Sequence, residues 1–158
     1  DITPYGTETM HVLRAEKGFV IVGQDTDGSV TPVDLGMNWM LSKNKDFLGK
    51  RSLSRPDSLR ENRKQLVGLL AEDSTTVIPE GAQLVNDLSA PEPVPMCGHV
   101  SSSYMSACLG YPIALALVES GRSRRNEIVY AWSSGNEPIP ARIVSPVFYD
   151  PKNERQND

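Results

Sequence analysis

Two residues of this 158-residue chain have side chains that could hold a ligand. Arg14 carries a guanidinium that keeps its charge and presents its donors as a rigid fork, which suits a carboxylate or the polar edge of a ring. Trp39 has a large flat face that could stack on an aromatic ligand. By residue type and spacing alone, however, Arg14 is typical of an exposed helix arginine and Trp39 of a core tryptophan. These two residues do not by themselves predict a site.

The residue types needed for nucleophilic catalysis are present, but their arrangement indicates no catalytic site. His11 and His99 lie far apart in the sequence, and the serines at 101–103 near His99 do not form a triad by adjacency. The chain has no Gly-x-Ser-x-Gly elbow, no Gly-x-Gly-x-x-Gly motif and no phosphate-binding loop. We therefore expect no hydrolase centre and no site for FAD, NAD or ATP on this chain.

The acidic segment at 25–28 has a spacing similar to the start of a calcium-binding loop. In that register Gly23 would occupy position one and Asp34 position twelve, where a calcium loop needs Asp and Glu. Pro32 would also lie inside the loop. We therefore expect no metal site here.

Composition and charge indicate a folded protein of one domain or two small ones, with 39% apolar and 23% charged residues. The net charge of -4 favours no nucleic-acid partner, and no apolar run is long enough to cross a bilayer. We expect a cytoplasmic protein with Cys97 and Cys108 as free thiols, although the sequence leaves a bridge between them open. The chain begins at Asp1 without an initiator methionine, so we expect a piece of a larger protein.

Arg14 is expected to lie in the last turn of a helix. Thr7 or Thr9 can cap the start of this helix, and Gly18 supplies the left-handed residue that ends it. Residues 19–22 are β-branched or aromatic, which predicts a short strand or an extended segment.

Trp39 belongs to a second apolar segment. Thr31, Pro32 and Asp34 have the types expected at the cap, first and third positions of another helix. The apolar residues between 35 and 41, Trp39 among them, are then expected to be largely buried.

From residue 65 onward the pattern predicts β structure. The charged stretch 55–64 is expected to connect two domains. Short apolar runs separated by turn signals predict a small antiparallel barrel or sandwich, and an α+β fold for the whole chain. The candidate strands are 65–71, 82–85, 97–106, 113–118, 127–132 and 138–144.

Three segments of the chain resemble the aminomethyltransferase family, which includes the glycine-cleavage T-protein. Residues 13–18, Leu-Arg-Ala-Glu-Lys-Gly, resemble its Leu-Arg-x-Glu-x-Gly signature. Thr-Pro at 31–32 with Gly-Met-Asn-Trp at 36–39 resembles a stretch that borders its folate cavity, and residues 146–151 resemble the Pro-x-x-Tyr-Asp-Pro ending of some members. The resemblance implies that tetrahydrofolate is bound by Arg14, Trp39 and Tyr149. It places the catalytic aspartate before this chain, so no catalytic residue is implied here.

Within that family, the chain is most similar to the branch formed by the alpha subunit of heterotetrameric sarcosine oxidase. Residues 22–28, 46–51 and 98–103 support this assignment, and Val22 stands where the T-protein usually has tyrosine. The resemblance implies oxidative demethylation of sarcosine to glycine, with transfer of the one-carbon unit to tetrahydrofolate. It also implies that FAD, FMN and NAD bind elsewhere in the parent complex.

The same resemblance implies a domain organisation and a set of partners. Residues 1–54 would be the C-terminal portion of the folate-binding domain, an α/β domain, and 64–152 the C-terminal β-barrel. The partners would be the remainder of the alpha subunit, the other subunits and folate, and the chain alone would be inactive. Two alternatives remain: an aminomethyltransferase of the T-protein or dimethylglycine dehydrogenase type, and a non-catalytic assembly or regulatory module of the same fold.

Overall fold

The computed structural model describes residues 2–133, 135 and 137–156, and its main feature is a closed six-stranded barrel. The strand order is β1-β4-β3-β2-β5-β6, β6 pairs back with β1, and every pairing is antiparallel. This architecture confirms the α+β class and selects a barrel over a sandwich. The strands are β1 Lys64–Ala71, β2 Gln83–Val85, β3 Met96–Ser106, β4 Tyr111–Glu119, β5 Ile128–Trp132 and β6 Ile139–Val144.

Two apolar clusters lie on the two faces of the barrel wall. On β4, Ala116 and Val118 pack into the larger cluster, while Leu115 and Leu117 belong to a second cluster on the other face. Because both faces of β4 are covered, its sequence is a continuous apolar run rather than an alternating one. The larger cluster also contains Val67, Leu69, Leu84, Val100, Val129 and Ile143.

The N-terminal segment lies against β3 and β4 with a single α-helix, α1, which spans Thr7–Glu16. Ala15 is buried in the second apolar cluster. Gly18 ends the helix as predicted, with a φ of +69°. The predicted threonine cap is wrong: the N-cap is Gly6, and no side chain bonds to the first turn because Thr7 is already helical.

The segment between α1 and the barrel is less regular than predicted. Val22 forms one isolated bridge with Thr26 in place of a strand. Asp34 accepts hydrogen bonds from the amide and hydroxyl of Thr31, both at 2.8 Å, but only a turn forms, since Gly36 adopts a φ of +78°. Three short 3-10 helices follow, at Asn38–Met40, Lys50–Ser54 and Asp57–Leu59.

The expected burial of residues 35–41 is wrong for this chain. Trp39 is 81% exposed and Met40 is 60% exposed. Leu35 is partly buried against the second apolar cluster. The apolar pattern is present, but nothing else in the described part of the chain covers the short helix that carries Trp39.

Arg63 anchors the connection between the N-terminal segment and the barrel. Its Nε and Nη2 donate to the carboxylate of Asp34 at 2.9 and 2.7 Å, and its Nη1 donates to Asp57 at 3.0 Å. Burial raises the pKa of Asp34, but hydrogen bonds from Arg63 and Thr31 outweigh it and hold the pKa below its usual 3.8. The stretch that the sequence predicted as a simple connection is therefore fixed by a buried ion pair.

The two cysteines are both free thiols. Cys97 is buried in the barrel, and that burial raises the pKa of its thiol, with Arg124 acting in the opposite direction. Within the described residues, no helix is long and apolar enough to span a bilayer.

Candidate functional site

Arg14 lies in the last turn of α1 and extends to the barrel strand β3. Its Nη1 donates to Asp25 Oδ2 at 2.5 Å and to the carbonyl of Phe19 at 3.2 Å. Its Nη2 donates to Ser102 Oγ at 2.7 Å and to the hydroxyl of Tyr104 at 3.4 Å. The guanidinium is therefore held at both terminal nitrogens, and its side chain is only 10% exposed.

Asp25 is fully buried and makes four hydrogen bonds through its carboxylate. Oδ2 accepts from Arg14 and from the amide of Ile21 at 2.8 Å. Oδ1 accepts from the hydroxyls of Ser101 and Ser102 at 2.5 and 2.6 Å. A carboxylate has about four acceptor positions. Protein donors therefore occupy all of the acceptor positions of this carboxylate.

A β-bulge in β3 explains how two consecutive serines reach one carboxylate. Val100 pairs with Ala116 and Ser102 pairs with Leu115, so Ser101 is the extra residue of the bulge. In a regular strand, successive side chains point to opposite faces. The bulge breaks this alternation and turns both hydroxyls towards Asp25.

One donor of Arg14 is left without a partner. In residues 2–133, 135 and 137–156, only two buried side-chain polar atoms lack a hydrogen bond, Arg14 Nε and Ser103 Oγ. Arg14 and Ser103 both belong to the elements that meet at this site. Since buried polar groups are normally paired, the Nε–H of Arg14 is an unsatisfied donor and an exception among the described residues.

The C-terminal segment docks on the end of α1, close to Arg14. The amides of Phe148 and Tyr149 both donate to the carbonyl of Glu16 at 2.9 Å. Lys17 Nζ donates to the carbonyl of Asp150 at 2.7 Å. The ring of Tyr149 lies under the guanidinium of Arg155, 5.3 Å from ring centroid to guanidinium carbon. The structure therefore brings Tyr149 to the helix that carries Arg14.

Trp39 lies on the short 3-10 helix Asn38–Met40 and is exposed. In the described part of the chain, no hydrogen bond or ring contact joins Trp39 to Arg14 or Tyr149. A neighbouring groove of about 690 Å³ has Phe47 and Leu59 in its apolar lining and Lys50 among its basic residues. The backbone of Tyr149 is thus bonded to the helix that carries Arg14, while Trp39 is exposed and makes no described contact with either residue.

His99 lines a polar cavity of about 270 Å³ that also contains Asp27 and Lys64. Burial and the positive charge of Lys64 lower the pKa of His99, while Asp27 opposes the shift. The neighbouring serines Ser101 and Ser102 point to Asp25 instead. The geometry therefore provides no catalytic triad around His99.

The barrel decides the family. The glycine cleavage T-protein C-terminal barrel domain matches residues 64–150, which include all six strands. The chain belongs to this family. The GCVT N-terminal domain also matches residues 1–45, which contain α1, Arg14 and Asp25. The Arg14–Asp25 pair therefore lies in the part that matches the GCVT N-terminal domain and is hydrogen-bonded to serines of the T-protein barrel domain.

Relatives of this T-protein family member include sarcosine oxidase alpha subunits. The subunit of Corynebacterium sp. (strain P-1) is 52% identical over 99% of this chain and 16% of the relative. That of Rhizobium meliloti (strain 1021) is 42% identical over 98% of this chain and 16% of the relative. The aminomethyltransferase of Thermotoga neapolitana is 30% identical over 94% of this chain and 38% of the relative. The chain thus spans only 16% of the length of the sarcosine oxidase subunits.

A solved structure has the same fold as this chain. The glycine cleavage system aminomethyltransferase T from Bartonella henselae superposes with a TM-score of 0.75 at 23% identity. The match covers 92% of this chain and 39% of that protein. The barrel and the segment that packs on it therefore occur together in both proteins.

Sequence reasoning missed the buried carboxylates. The sequence predicts no ion pair for Asp25, which belongs to the rejected calcium loop and to the segment 22–28, or for Glu16, which accepts from Ser106 Oγ at 2.5 Å and belongs to the 13–18 signature. The useful signal was the serine run that includes Ser101 and Ser102, because buried serines on a strand need polar partners.

Proposed function

We propose that this chain is part of the alpha subunit of a sarcosine oxidase. The parent enzyme would demethylate sarcosine oxidatively to glycine and pass the one-carbon unit to tetrahydrofolate. The observation that carries this proposal is the difference in identity: 52% and 42% to two sarcosine oxidase alpha subunits, against 30% to the Thermotoga neapolitana aminomethyltransferase.

The parent would contain what this chain lacks. Residues 1–54 would be the end of its folate-binding domain and 64–152 its C-terminal barrel domain. FAD, FMN and NAD would bind to other parts of a cytoplasmic complex, and the chain's partners would be the rest of the alpha subunit and the other subunits. The 16% share of the sarcosine oxidase subunits' length supports a much larger parent.

Arg14, Trp39 and Tyr149 are proposed to bind tetrahydrofolate in that parent. The folate has a polar pterin edge, an aromatic ring and a carboxylate tail, and when bound it supplies an amine that accepts a one-carbon unit. The buried Nε–H of Arg14 is a donor that has no partner in the described residues, which supports a polar contact at this arginine. The exposed indole of Trp39 offers an unobstructed face for stacking. Tyr149 lies at the end of the helix that carries Arg14.

Trp39 provides the cleanest test, because it is 81% exposed and can be removed without disturbing a core. In the full-length parent, Trp39→Ala is expected to weaken tetrahydrofolate binding about tenfold in a calorimetric titration. The matched control is Trp132→Ala, since Trp132 is the other tryptophan and lies on the barrel strand β5. Unchanged affinity in Trp39→Ala, or the same loss in both variants, would exclude Trp39 from the site.

Arg14→Lys is the companion variant. Arg14→Ala would leave the buried Asp25 without a counter-charge, whereas lysine keeps the charge but loses the fork. We expect Arg14→Lys to weaken folate binding to a similar extent as Trp39→Ala, while the parent stays folded.

The assembly alternative is favoured by a separate observation, the exposure of several apolar residues of the N-terminal segment. Phe19, Val22, Trp39, Met40 and Leu48 are between 59% and 104% exposed. A surface of this kind normally contacts another protein part. Loss of subunit association in Trp39→Ala, with folate affinity unchanged, would support an assembly module. Dependence on a lipoyl carrier would instead support a T-protein.

A further inference from the structure

We propose that Asp25 is a positioning residue for Arg14, and that the bulge in β3 serves to hold Asp25 in this role. The barrel would then orient the arginine of the neighbouring segment through two serines and one carboxylate. This inference rests on the proposed folate-binding role of Arg14.

Asp25 acts only through Arg14. All of its four acceptor positions are used, by Arg14, Ile21, Ser101 and Ser102, so it has no capacity to bind a ligand itself. It is also 0% exposed. What it controls is the orientation of the guanidinium plane, because Nη1 is bound to its Oδ2 and Nη2 to Ser102, which donates to its Oδ1.

The second buried arginine of the chain shows what a purely structural ion pair looks like here. Arg63 uses all three guanidinium nitrogens: Nε and Nη2 bind Asp34, Nη1 binds Asp57, and Nη2 also binds the carbonyl of Ser29. Arg14 has the same exposed fraction, 10%, yet its Nε has no partner in the described residues. The Arg14 pair is thus held at both terminal nitrogens but leaves one buried donor unsatisfied, whereas the Arg63 pair binds all three guanidinium nitrogens.

The bulge links this arrangement to the barrel. In a regular strand without the bulge, alternation would direct Ser101 and Ser102 to opposite faces. Asp25 Oδ1 would then lose one of its two hydroxyl donors. Bulges next to functional sites commonly redirect a side chain in this way. The barrel wall therefore sets the angle at which Arg14 meets its ligand.

The test compares Asp25→Asn with Asp34→Asn in the full-length parent. Both changes remove the charge of a buried aspartate that pairs with a 10%-exposed arginine. Tetrahydrofolate affinity is measured by calorimetry and the unfolding midpoint by thermal scanning. We expect both variants to unfold at lower temperature, but only Asp25→Asn to bind folate more weakly, on the order of tenfold.

A double-mutant cycle gives a readout that general destabilisation would not change. If Asp25 acts through Arg14, Asp25→Asn in an Arg14→Lys background should cause little further loss of affinity. Additive losses, or an equal loss of affinity in Asp34→Asn, would overturn the positioning role and leave Asp25 a structural residue.

Ser101→Ala covers the case in which Asp25→Asn does not fold. It removes one hydroxyl from Asp25 and leaves every bond of Arg14 in place. We expect about a threefold loss of folate affinity, less than in Asp25→Asn, because Asp25 keeps its charge and three of its four hydrogen bonds. Its control is Ser106→Ala, because Ser106 is a buried serine of the same strand that donates to Glu16. Equal affinities in the two serine variants would contradict the proposal.

Different results would reject tetrahydrofolate binding by the parent and the positioning role of Asp25. If the unaltered parent does not bind tetrahydrofolate, the proposed function fails. If it binds, and Arg14→Lys weakens binding while Asp25→Asn does not, the proposed function stands and the positioning role is rejected.

Discussion

Arg14 and Arg63 show two uses of one side chain in a small protein. Both are largely buried, and both pair with an aspartate of the N-terminal segment. Arg63 binds Asp34 and Ser29 in the N-terminal segment and Asp57 in the connection to the barrel. Arg14 crosses to the barrel instead. The Arg63–Asp34 pair is expected to contribute mainly to stability, and the Arg14–Asp25 pair to ligand geometry.

The Asp34–Arg63 pair predicts a specific pH dependence. Because the pKa of Asp34 is lowered in the folded state, chiefly by Arg63 against the effect of burial, the pair stabilises the fold above the usual pKa of 3.8. That contribution is lost as the pH falls through the folded-state pKa. Asp34→Asn should destabilise the chain at pH 7 on the order of 3 kcal/mol, with a smaller effect in strong acid.

Thermal or urea unfolding of both proteins between pH 7 and pH 2.5 measures this difference. Asp87→Asn is the comparison, because hydrogen bonds from Ser89 in its own exposed loop, and no buried arginine, lower the pKa of Asp87. Its pH-dependent effect on stability should be smaller than that of Asp34→Asn. A difference between Asp34→Asn and the unaltered chain that stays constant across the pH range would contradict the linkage.

At the scale of elements, β3 is the strand with the most specific requirements. It contains the bulge at Ser101, and it approaches β4 so closely at Gly98 that an added Cβ would overlap the carbonyl oxygen of Leu117. A backbone atom cannot move aside as a flexible side chain can. The close approach at Gly98 therefore has to be preserved for the strand pair to form.

Gly98→Ala is accordingly expected to destabilise the barrel by at least about 2 kcal/mol, as overpacking against a backbone does. Chemical unfolding of the chain provides the measurement. Gly28→Ala is the matched control, because no atom lies within 4 Å of a Cβ added there. Equal stabilities of the two alanine variants would show that β3 and β4 can separate at little cost.

The elements also show why some structure follows from the sequence and some does not. Strands such as β1 and β4 have apolar runs bounded by turns, so they were predicted within a residue or two. The short helix at Asn38–Met40 has an apolar pattern that nothing in the described chain covers, so burial could not be inferred from it. Asp25 meets Ser101 and Ser102 across 76 and 77 residues, through a bulge. Local patterns contain no information about such a contact.

At the scale of the whole molecule, the chain combines a closed barrel with a preceding segment that exposes apolar side chains. The barrel family matches residues 64–150, whereas the chain makes up 16% of the sarcosine oxidase subunits it resembles. Exposed apolar residues concentrate in the segment before the barrel, at Phe19, Val22 and Trp39. This distribution is expected if the missing part of the parent covers that segment.

Under the proposed function, the chain alone is expected to bind tetrahydrofolate at least about tenfold more weakly than the full-length parent, since other parts of the parent would form the remaining cavity walls. Parallel titrations of the chain and the parent measure this ratio. The barrel domain should nevertheless remain folded, which circular dichroism can verify. Equal affinities would mean that Arg14, Trp39 and Tyr149 suffice for binding.

The closed strand order has a consequence for how this protein meets its neighbours. A sheet that closes on itself pairs every strand with two neighbours, which leaves a partner chain little free edge to extend by backbone pairing. Recognition is therefore expected mainly through side chains on the outer wall and on the segment before it. Such contacts can change one residue at a time, whereas an added strand must keep its register along its whole length. The barrel can thus stay constant as a scaffold while the residues of its contact surface change.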